Sequence, residues 1–239
     1  MRHCAAALVF LFCLGTTPTA VAQTSSPSLT LEVASDERRR GLSWSDGDPV
    51  LRASLFVPVT ERLAVDATAV SLWGGSRQGG ADAVIDLRAG YDRQIGGWRL
   101  SGDLTYRLFP GVAGWNYVEA GAAAGFLIGP ASLDLSVRYA PRQRSIGGDN
   151  LHIGATPSFG IPGTAFTLSA NLGHSSGAVR DPIRVQRLRP DGGYWDHGLT
   201  IDYRKGRWLT GLRYTNTDIA REKAEHVGAT LVARAGVEF

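Results

Sequence analysis

The last stretch of the chain, from His226 to Phe239, alternates with a period of two. Counting back from Phe239, every second residue as far as Val227 is apolar, whereas the interleaved residues are mostly polar or small. This period is typical of a β-strand with one face against an apolar medium and the other in water. A final phenylalanine is typical of the strand that closes a transmembrane β-barrel and is read by the barrel-assembly machinery. We therefore predict that Phe239 is an assembly signal; an edge strand of a soluble β-sandwich is the alternative interpretation.

Further stretches between Leu29 and Thr215 alternate in the same way. The clearest of them places Ile85 and Leu87 on one face and Asp86 on the other. The predicted connections alternate between short turns and longer polar loops, as expected for an outer-membrane barrel with an even number of strands. The sequence therefore predicts an all-β fold, a transmembrane antiparallel up-and-down β-barrel of about twelve strands that occupies residues 23–239.

The tryptophans lie at the ends of the predicted strands. Amphipathic rings concentrate at the two membrane interfaces, whereas a sandwich would bury them in the middle of its strands. A sheet can cross hydrocarbon only when it closes, because every backbone amide must be paired there. Trp44 also lies at the end of a long loop. We predict five membrane-interface aromatics: Trp98 and Trp208 after short turns, and Trp73, Trp115 and Trp195 beside long loops.

The N-terminus has the features of a secretory signal peptide. A basic end precedes the apolar segment Ala5 to Leu14, and Ala20-Val21-Ala22 fits a cleavage site. We predict that residues 1–22 are removed and that the protein reaches the bacterial outer membrane. Cys4 and Cys13 both lie in this segment, so we expect neither disulfides nor a thiolate metal site in the mature protein.

Charged residues are frequent on the face that the barrel would turn inward. They would either line a wet lumen that filters small ions and polar solutes, or pair across strands and fill it. Barrels of ~8 strands are filled by side chains and those of 16–18 hold a channel, so about twelve strands leave both interpretations open. A net charge of +3 is too small to indicate nucleic-acid binding. The candidate pore-lining residues are Asp66, Asp82, Asp86, Arg88, Arg99, Asp103, Arg107, Glu119, Asp134, Arg138, Asp202, Arg204, Arg213 and Arg234.

The longest predicted loop, residues 175–193, is rich in arginine. It contains Arg180, Arg184, Arg187 and Arg189. Arginines of this kind could fold into the pore or bind the phosphates of lipopolysaccharide. A charge run of this kind is more often a solvated loop, and the sequence leaves the alternatives open.

An outer-membrane hydrolase of lipase or protease type is the competing class of function, beside a purely structural barrel. A hydrolase needs a nucleophile, a base and an orienting group close together. His174 beside Ser175 and Ser176 is the best candidate, but it belongs to no recognisable catalytic motif. Metal-ligand spacings and phosphate-binding loops are not found either. We therefore predict a protein that is not an enzyme and that needs neither a metal nor a cofactor.

Several short motifs follow one another along the mature chain. They are Ser35, Asp36, Arg40, Gly41 and Ser45 to Pro49, then Asn116 to Glu119, Pro162-Gly163, Phe166 to Ser169, Tyr194 to Asp196 and Thr217 to Ile219. In these motifs the sequence resembles the TorF family of predicted porins along nearly the whole mature chain. It departs from the family between Asp36 and Arg40, where Glu37, Arg38 and Arg39 replace the usual aromatics. The resemblance implies an outer-membrane barrel in contact with lipid and lipopolysaccharide, and we expect passive diffusion of small hydrophilic solutes or ions through it.

Overall fold

The structure, a computed structural model, describes residues 26–220 and 222–239, within which twelve strands form one closed antiparallel barrel. Each barrel strand pairs with its neighbours along the chain, and β1 closes the sheet between β14 and β4. The predicted all-β barrel of about twelve strands is confirmed, whereas the predicted signal peptide lies outside the described residues. The strands are β1 Ser28–Ala34, β2 Arg38–Arg39, β3 Leu42–Ser43, β4 Val50–Pro58, β5 Leu63–Gly75, β6 Ala81–Ile95, β7 Trp98–Leu108, β8 Tyr117–Ile128, β9 Ala131–Gln143, β10 Gly148–Gly160, β11 Phe166–Ser176, β12 Tyr194–Lys205, β13 Trp208–Thr217 and β14 Thr230–Glu238.

The alternating residues sort onto the two faces of the barrel. A closed sheet pairs all the backbone groups of its strands, so only side chains meet the surroundings. Soluble monomers rarely expose apolar patches of more than a few hundred Å², yet this barrel exposes an apolar row on strand after strand. The belt includes Leu31, Val33, Leu55, Val65, Leu87, Leu104, Leu135, Ile153, Leu168, Leu172, Leu199, Leu212 and Leu231. None of the short helical segments in the described ranges, Ser76–Gln78, Arg144–Ile146 and Arg184–Arg187, is long and apolar enough to cross a membrane.

The two ends of the barrel differ. At one end, the turn end, the strands are joined by tight connections such as Gly96-Gly97. The first residue of β1 and the last residue of β14 also lie at this end. At the loop end lie the long segments 35–49, 109–116, 177–193 and 218–229. The predicted strict alternation of short and long connections is wrong at two places, because β5 and β9 extend into the predicted loops.

The extension of β5 depends on a bulge. The register with β6 shifts between Ser71 and Gly75, where Trp73 has φ +53° and Gly74 φ +83°. Two extra residues on β5 are absorbed here, and pairing continues beyond them. The predicted loop from Trp73 therefore begins only after Gly75.

The last strand is shorter than the period of two predicts. It begins at Thr230, and Val227 is buried inside the barrel instead of facing outward. The reason is local, since His226 has φ +53° and Thr217 Oγ1 donates a hydrogen bond to the Val227 carbonyl at 2.8 Å. At the other end, the Phe239 amide donates to the Leu29 carbonyl at 2.8 Å, so the final residue continues the closing seam.

The interior of the loop end is packed like a protein core. Two segments enter it: the inner hairpin, residues 36–49 with strands β2 and β3, and the arginine loop, residues 177–193. The polar composition of the segment from Asp36 to Pro49 predicts a long polar loop, and this prediction is wrong, because most of the segment is buried. The buried apolar cluster comprises Ala34, Leu42, Trp44, Val50, Val70, Leu72, Ala81, Val84, Phe109, Tyr117, Ala140, Ile146, Leu188, Tyr194, Ile219, Val227 and Val232.

Candidate functional site

The lumen is organised around the carboxylate of Glu119 on β8, which is completely buried. It accepts hydrogen bonds from Arg107 Nη1 at 2.9 Å, Arg138 Nε at 3.0 Å and Arg40 Nη2 at 2.5 Å. A buried charge is tolerated only when it is paired and its hydrogen-bonding capacity is used. Three arginines around one carboxylate meet that requirement, and they join β7, β8, β9 and the inner hairpin.

This network continues along the same side of the lumen. Asp86 lies 2.7 Å from Arg39 and 3.3 Å from Arg107. Toward the turn end, Asp103 binds Arg138 at 2.8 Å. Arg88 then lies between two carboxylates, 3.4 Å from Asp66 and 3.5 Å from Asp103. Seven of the fourteen candidate pore-lining residues therefore form one connected set on β5 to β9.

Glycines make room for ion pairs that cross a strand. Gly121 on β8 is in register with Asp103 on β7 and with Arg138 on β9. A methyl group at Gly121 would lie 2.6 Å from Asp103 Oδ1. The same arrangement recurs on β13, where Gly211 is in register with Asp202 and Arg234. In both places the absent side chain allows two charged groups, two strands apart, to meet.

Gly121→Ala is expected to destabilise the barrel by about 1 kcal/mol, because the new methyl group displaces the Asp103 carboxylate from Arg138. Gly102→Ala is the matched control on β7, since a methyl group there has no neighbour closer than 3.8 Å. Thermal unfolding, followed as the loss of heat-modifiable gel mobility, measures both variants. Equal midpoints for the two variants would contradict the role of the glycine.

A second group of candidate residues lies on the opposite side, on β12 to β14. Asp202 binds Arg234 at 2.7 Å, and Arg204 binds Glu238 at 2.9 Å. Arg213 donates to the Arg38 carbonyl of the inner hairpin at 3.0 Å. These arginines and carboxylates also interact within the lumen, so the interior is closely charge-balanced.

The remaining candidates lie apart from these two groups. Arg99 pairs with Asp92 at 3.0 Å near the turn end, and Asp134 is half-buried on β9. Asp82 is exposed at the loop end, next to the bulge in β5. Its position at the rim follows from that bulge, which sequence periodicity does not reveal.

The inner hairpin carries charged residues that the sequence analysis did not select. Glu37 is buried and pairs with Arg52 on β4 and, at 2.8 Å, with Arg39. Burial acts to raise the pKa of Glu37, but Arg52 and Arg39 lower it more, so that its pKa lies below the ordinary value. The Arg39 guanidinium also lies 4.3 Å from the ring centre of Trp44. The sequence signal for this burial was the presence of Leu42 and Trp44 next to the arginines 38–40, because such residues are rarely all left in solvent together.

The arginine loop closes the other part of the loop end. Arg187 donates to Gln78 Oε1 at 2.9 Å and to the Ser145 carbonyl at 2.6 Å. Its guanidinium lies 4.1 Å from the ring centre of Trp115 and 4.8 Å from that of Phe109. Burial lowers the pKa of Arg187 to about 10, so the side chain stays cationic at neutral pH.

Arg189 is also completely buried, and its guanidinium donates to the backbone carbonyls of Gly177, Gly192, Asp149 and Ala178. The interpretation of this loop as a solvated charge run is therefore wrong for Arg187 and Arg189. It does describe the exposed Arg180.

A cavity of about 30 Å³ remains between the inner hairpin and the wall. A cavity of this size holds about two or three water molecules, at ~10–15 Å³ for each, and buried side chains of the two inserted segments, such as Trp44 and Leu188, occupy the interior around it. Any wide passage there requires one of the two inserted segments to move. The lining residues are Arg39, Arg40, Leu42, Trp44, Arg107, Tyr117, Leu188 and Tyr194.

Four of the five predicted interface tryptophans are exposed at strand ends. Trp98 and Trp208 lie at the turn end, and Trp73 and Trp195 at the loop end. Trp115 differs, because it packs inward against Arg187 and the buried cluster. Trp44, which the sequence also places beside a long loop, is buried inside the barrel.

Two residues of the hydrolase hypothesis, His174 and Ser175, lie on opposite faces of β11. His174 faces outward and lies 4.7 Å from Trp195, ring centre to ring centre, whereas the next residue, Ser175, faces inward and is buried. Successive residues of a strand point to opposite faces, so this pair cannot form a nucleophile and its base. In the lumen, His152 Nε2 instead contacts Asp196 Oδ1 at 3.0 Å.

Comparison with known proteins adds a family to this geometry. Residues 20–236 match the family described as "Bacterial protein of unknown function (Gcw_chp)". The chain belongs to the Gcw_chp family. A search of curated proteins finds no match for this Gcw_chp protein.

Several solved structures share the fold of this Gcw_chp barrel. The KdgM porin has 9% identity and a TM-score of 0.58, covering 89% of this chain and 98% of the porin. The NanC porin has 10% identity and a TM-score of 0.59, with 88% and 98% covered. An outer-membrane channel from Pseudomonas putida F1 has 12% identity and a TM-score of 0.57, with 90% and 96% covered. The Gcw_chp fold is therefore that of an outer-membrane β-barrel.

Proposed function

We propose that this Gcw_chp protein is an outer-membrane channel of porin type, through which small hydrophilic solutes or ions diffuse passively. One observation carries the proposal: a closed barrel with an apolar outer belt has an interior of charged and hydroxyl side chains. In a barrel that spans lipid, a polar interior of this kind is typical of a lumen that water enters. The likeness in fold to the KdgM and NanC porins, at nearly full length, agrees with this function.

The proposal includes export and location. Residues 1–22 serve as the cleaved signal, and residues 23–239 form the barrel in the outer membrane, in contact with lipid and lipopolysaccharide. The assembly machinery recognises the last strand through Phe239, whose side chain is exposed beside the closing seam. The resemblance to the TorF family of predicted porins supports the same function. The protein is not an enzyme.

The passage is narrowest at the loop end, where the inner hairpin and the arginine loop meet the wall. The turn half is lined instead by side chains of strands alone. Solute flux is therefore limited by the two inserted segments, and the charges of the central network act on ions that pass them.

Arg138→Glu and Arg107→Glu are each expected to change the single-channel conductance of the refolded protein in a planar bilayer, and to shift its preference toward cations. Both arginines contact Glu119 in the lumen, so a reversed charge alters the field along the passage. Arg142→Glu is the matched control, because Arg142 is exposed at the end of β9.

A bilayer that stays silent, although heat-modifiable mobility shows a folded barrel, would contradict the channel. An equal effect of Arg142→Glu would contradict the place of the two arginines in the passage.

A further inference from the structure

The wall of the lumen is not uniform around the barrel. From β4 to β8 and from β12 to β14, long charged side chains reach inward and pair with one another. Between them, in the turn half of β9 to β12, short hydroxyl side chains line most of the lumen, and the half-buried carboxylate of Asp134 on β9 lies among them, in register with Thr156. This hydroxyl wall consists of Ser136, Thr156, Ser158, Thr167, Ser169 and Thr200, all of them half-buried.

The hydroxyl wall is continuous across the strands. Ser158 on β10 is in register with Ser169 on β11, and Ser169 with Thr200 on β12. Ser136 on β9 is in register with Gly154, which has no side chain. The outward positions between them are apolar and exposed, such as Leu168, so alternation points the hydroxyls into the lumen.

Side-chain length decides where space remains. An arginine reaches far into the barrel and its paired carboxylate meets it there, whereas serine and threonine end one atom beyond Cβ. The free cross-section of the turn half therefore lies against the hydroxyl wall. Each hydroxyl can both donate and accept a hydrogen bond, and none carries a charge.

We propose that solutes cross the turn half along the hydroxyl wall, and that this path favours neutral, hydroxyl-rich solutes such as sugars and polyols over anionic solutes of the same size. The inference rests on the proposed channel function and names its solute class. Hydroxyl groups on the solute exchange hydrogen bonds with water for hydrogen bonds with the wall. An anion finds no cationic partner among the hydroxyls, and the Asp134 carboxylate beside Thr156 repels it.

The arginine loop covers the outer end of this path. Arg189 ties that loop to the carbonyls of Asp149 on β10 and of Gly177, just after β11. Between the loop and the hydroxyl wall, His152 and Asp196 meet above Gly173, whose missing side chain leaves room for them. Movement of the arginine loop would open the hydroxyl wall to the outside.

Single cysteines test the position of the path. Cys4 and Cys13 both precede residues 23–239, so an introduced cysteine is the single thiol of the barrel segment. Ser158→Cys and Ser169→Cys lie on the hydroxyl wall. Ser54→Cys on β4 and Ser101→Cys on β7, both half-buried and away from that wall, are the matched controls. Each variant, refolded into liposomes, is treated with a bulky neutral thiol reagent, and arabinose flux is measured by liposome swelling.

Modification at Ser158→Cys or Ser169→Cys is expected to reduce arabinose flux several-fold, and modification of the controls is expected to change it little. Equal reductions on both sides, or thiols on the hydroxyl wall that the reagent cannot reach, would overturn the inference. The unmodified barrel is also compared for glucose and glucuronate, and glucuronate flux equal to or above glucose flux would overturn the solute class. A folded but impermeable unmodified barrel would instead contradict the channel itself.

Discussion

Glu119→Gln is expected to destabilise the barrel by roughly 3–5 kcal/mol and to increase its conductance. The substitution keeps the size of the side chain but removes the negative charge that Arg40, Arg107 and Arg138 share. The three arginines would then repel one another with less compensation, because only Arg107 and Arg138 keep a second carboxylate, Asp86 and Asp103. Arg40 belongs to the inner hairpin, so the same change weakens the attachment of the hairpin to the wall and widens the passage.

Two measurements follow this variant: the temperature at which the folded gel band is lost, and single-channel conductance. Asp92→Asn is the matched control, because the Asp92–Arg99 pair is partly exposed and exposed pairs contribute about 0–1 kcal/mol. A Glu119→Gln barrel as stable as the control would show that the three arginines are stabilised by other groups. A lower stability without a rise in conductance would show that the hairpin is held elsewhere.

Arg187→Ala is expected to release the arginine loop, with a loss of about 3 kcal/mol of local stability. The truncation removes the hydrogen bonds to Gln78 and the Ser145 carbonyl and the contact with the Trp115 ring. A loss of this size raises the open fraction of the loop ~100-fold. Leu188, which is buried beside it, then becomes accessible.

Chymotrypsin, which cleaves after large apolar residues, reports this opening by its rate of cleavage after Leu188, since proteolysis follows the population of the open form. Arg180→Ala is the matched control in the same loop, where the side chain is exposed. Equal cleavage rates in both variants would mean that Arg187 does not hold the loop. Arabinose flux is also expected to be higher through the Arg187→Ala barrel than through the Arg180→Ala barrel.

The strands could be predicted because each face of a barrel strand meets one uniform environment. Leu87 faces outward and Arg88 faces inward, and the alternation of neighbouring residues is enough to predict this difference. The inward direction of Asp86 and Arg107 follows from the same alternation. The partners of Asp86 and Arg107 cannot be predicted from this alternation, because the register between strands is set by the whole closed sheet.

The inner hairpin could not be predicted in this way. Its position depends on contacts such as Arg39 with Asp86 and Arg40 with Glu119, which join residues 47 and 79 positions apart in the chain. In sequence, residues 36–49 have the polar composition of an outer loop. Arg187 was equally hidden, since an arginine in a polar loop shows neither its aromatic neighbours nor the carbonyls that it binds.

The direct connection between β1 and the inner hairpin has a consequence for how the barrel is assembled. The hairpin contacts the segment before β14 as well as the walls: the Ser43 amide donates to the His226 carbonyl at 3.2 Å, and Arg38 to the Gly228 carbonyl at 3.1 Å. The last strand therefore docks against β1, while the segment that leads into it docks against the hairpin. A barrel that closed with the hairpin outside would lack part of the surface that positions the chain at the start of its final strand.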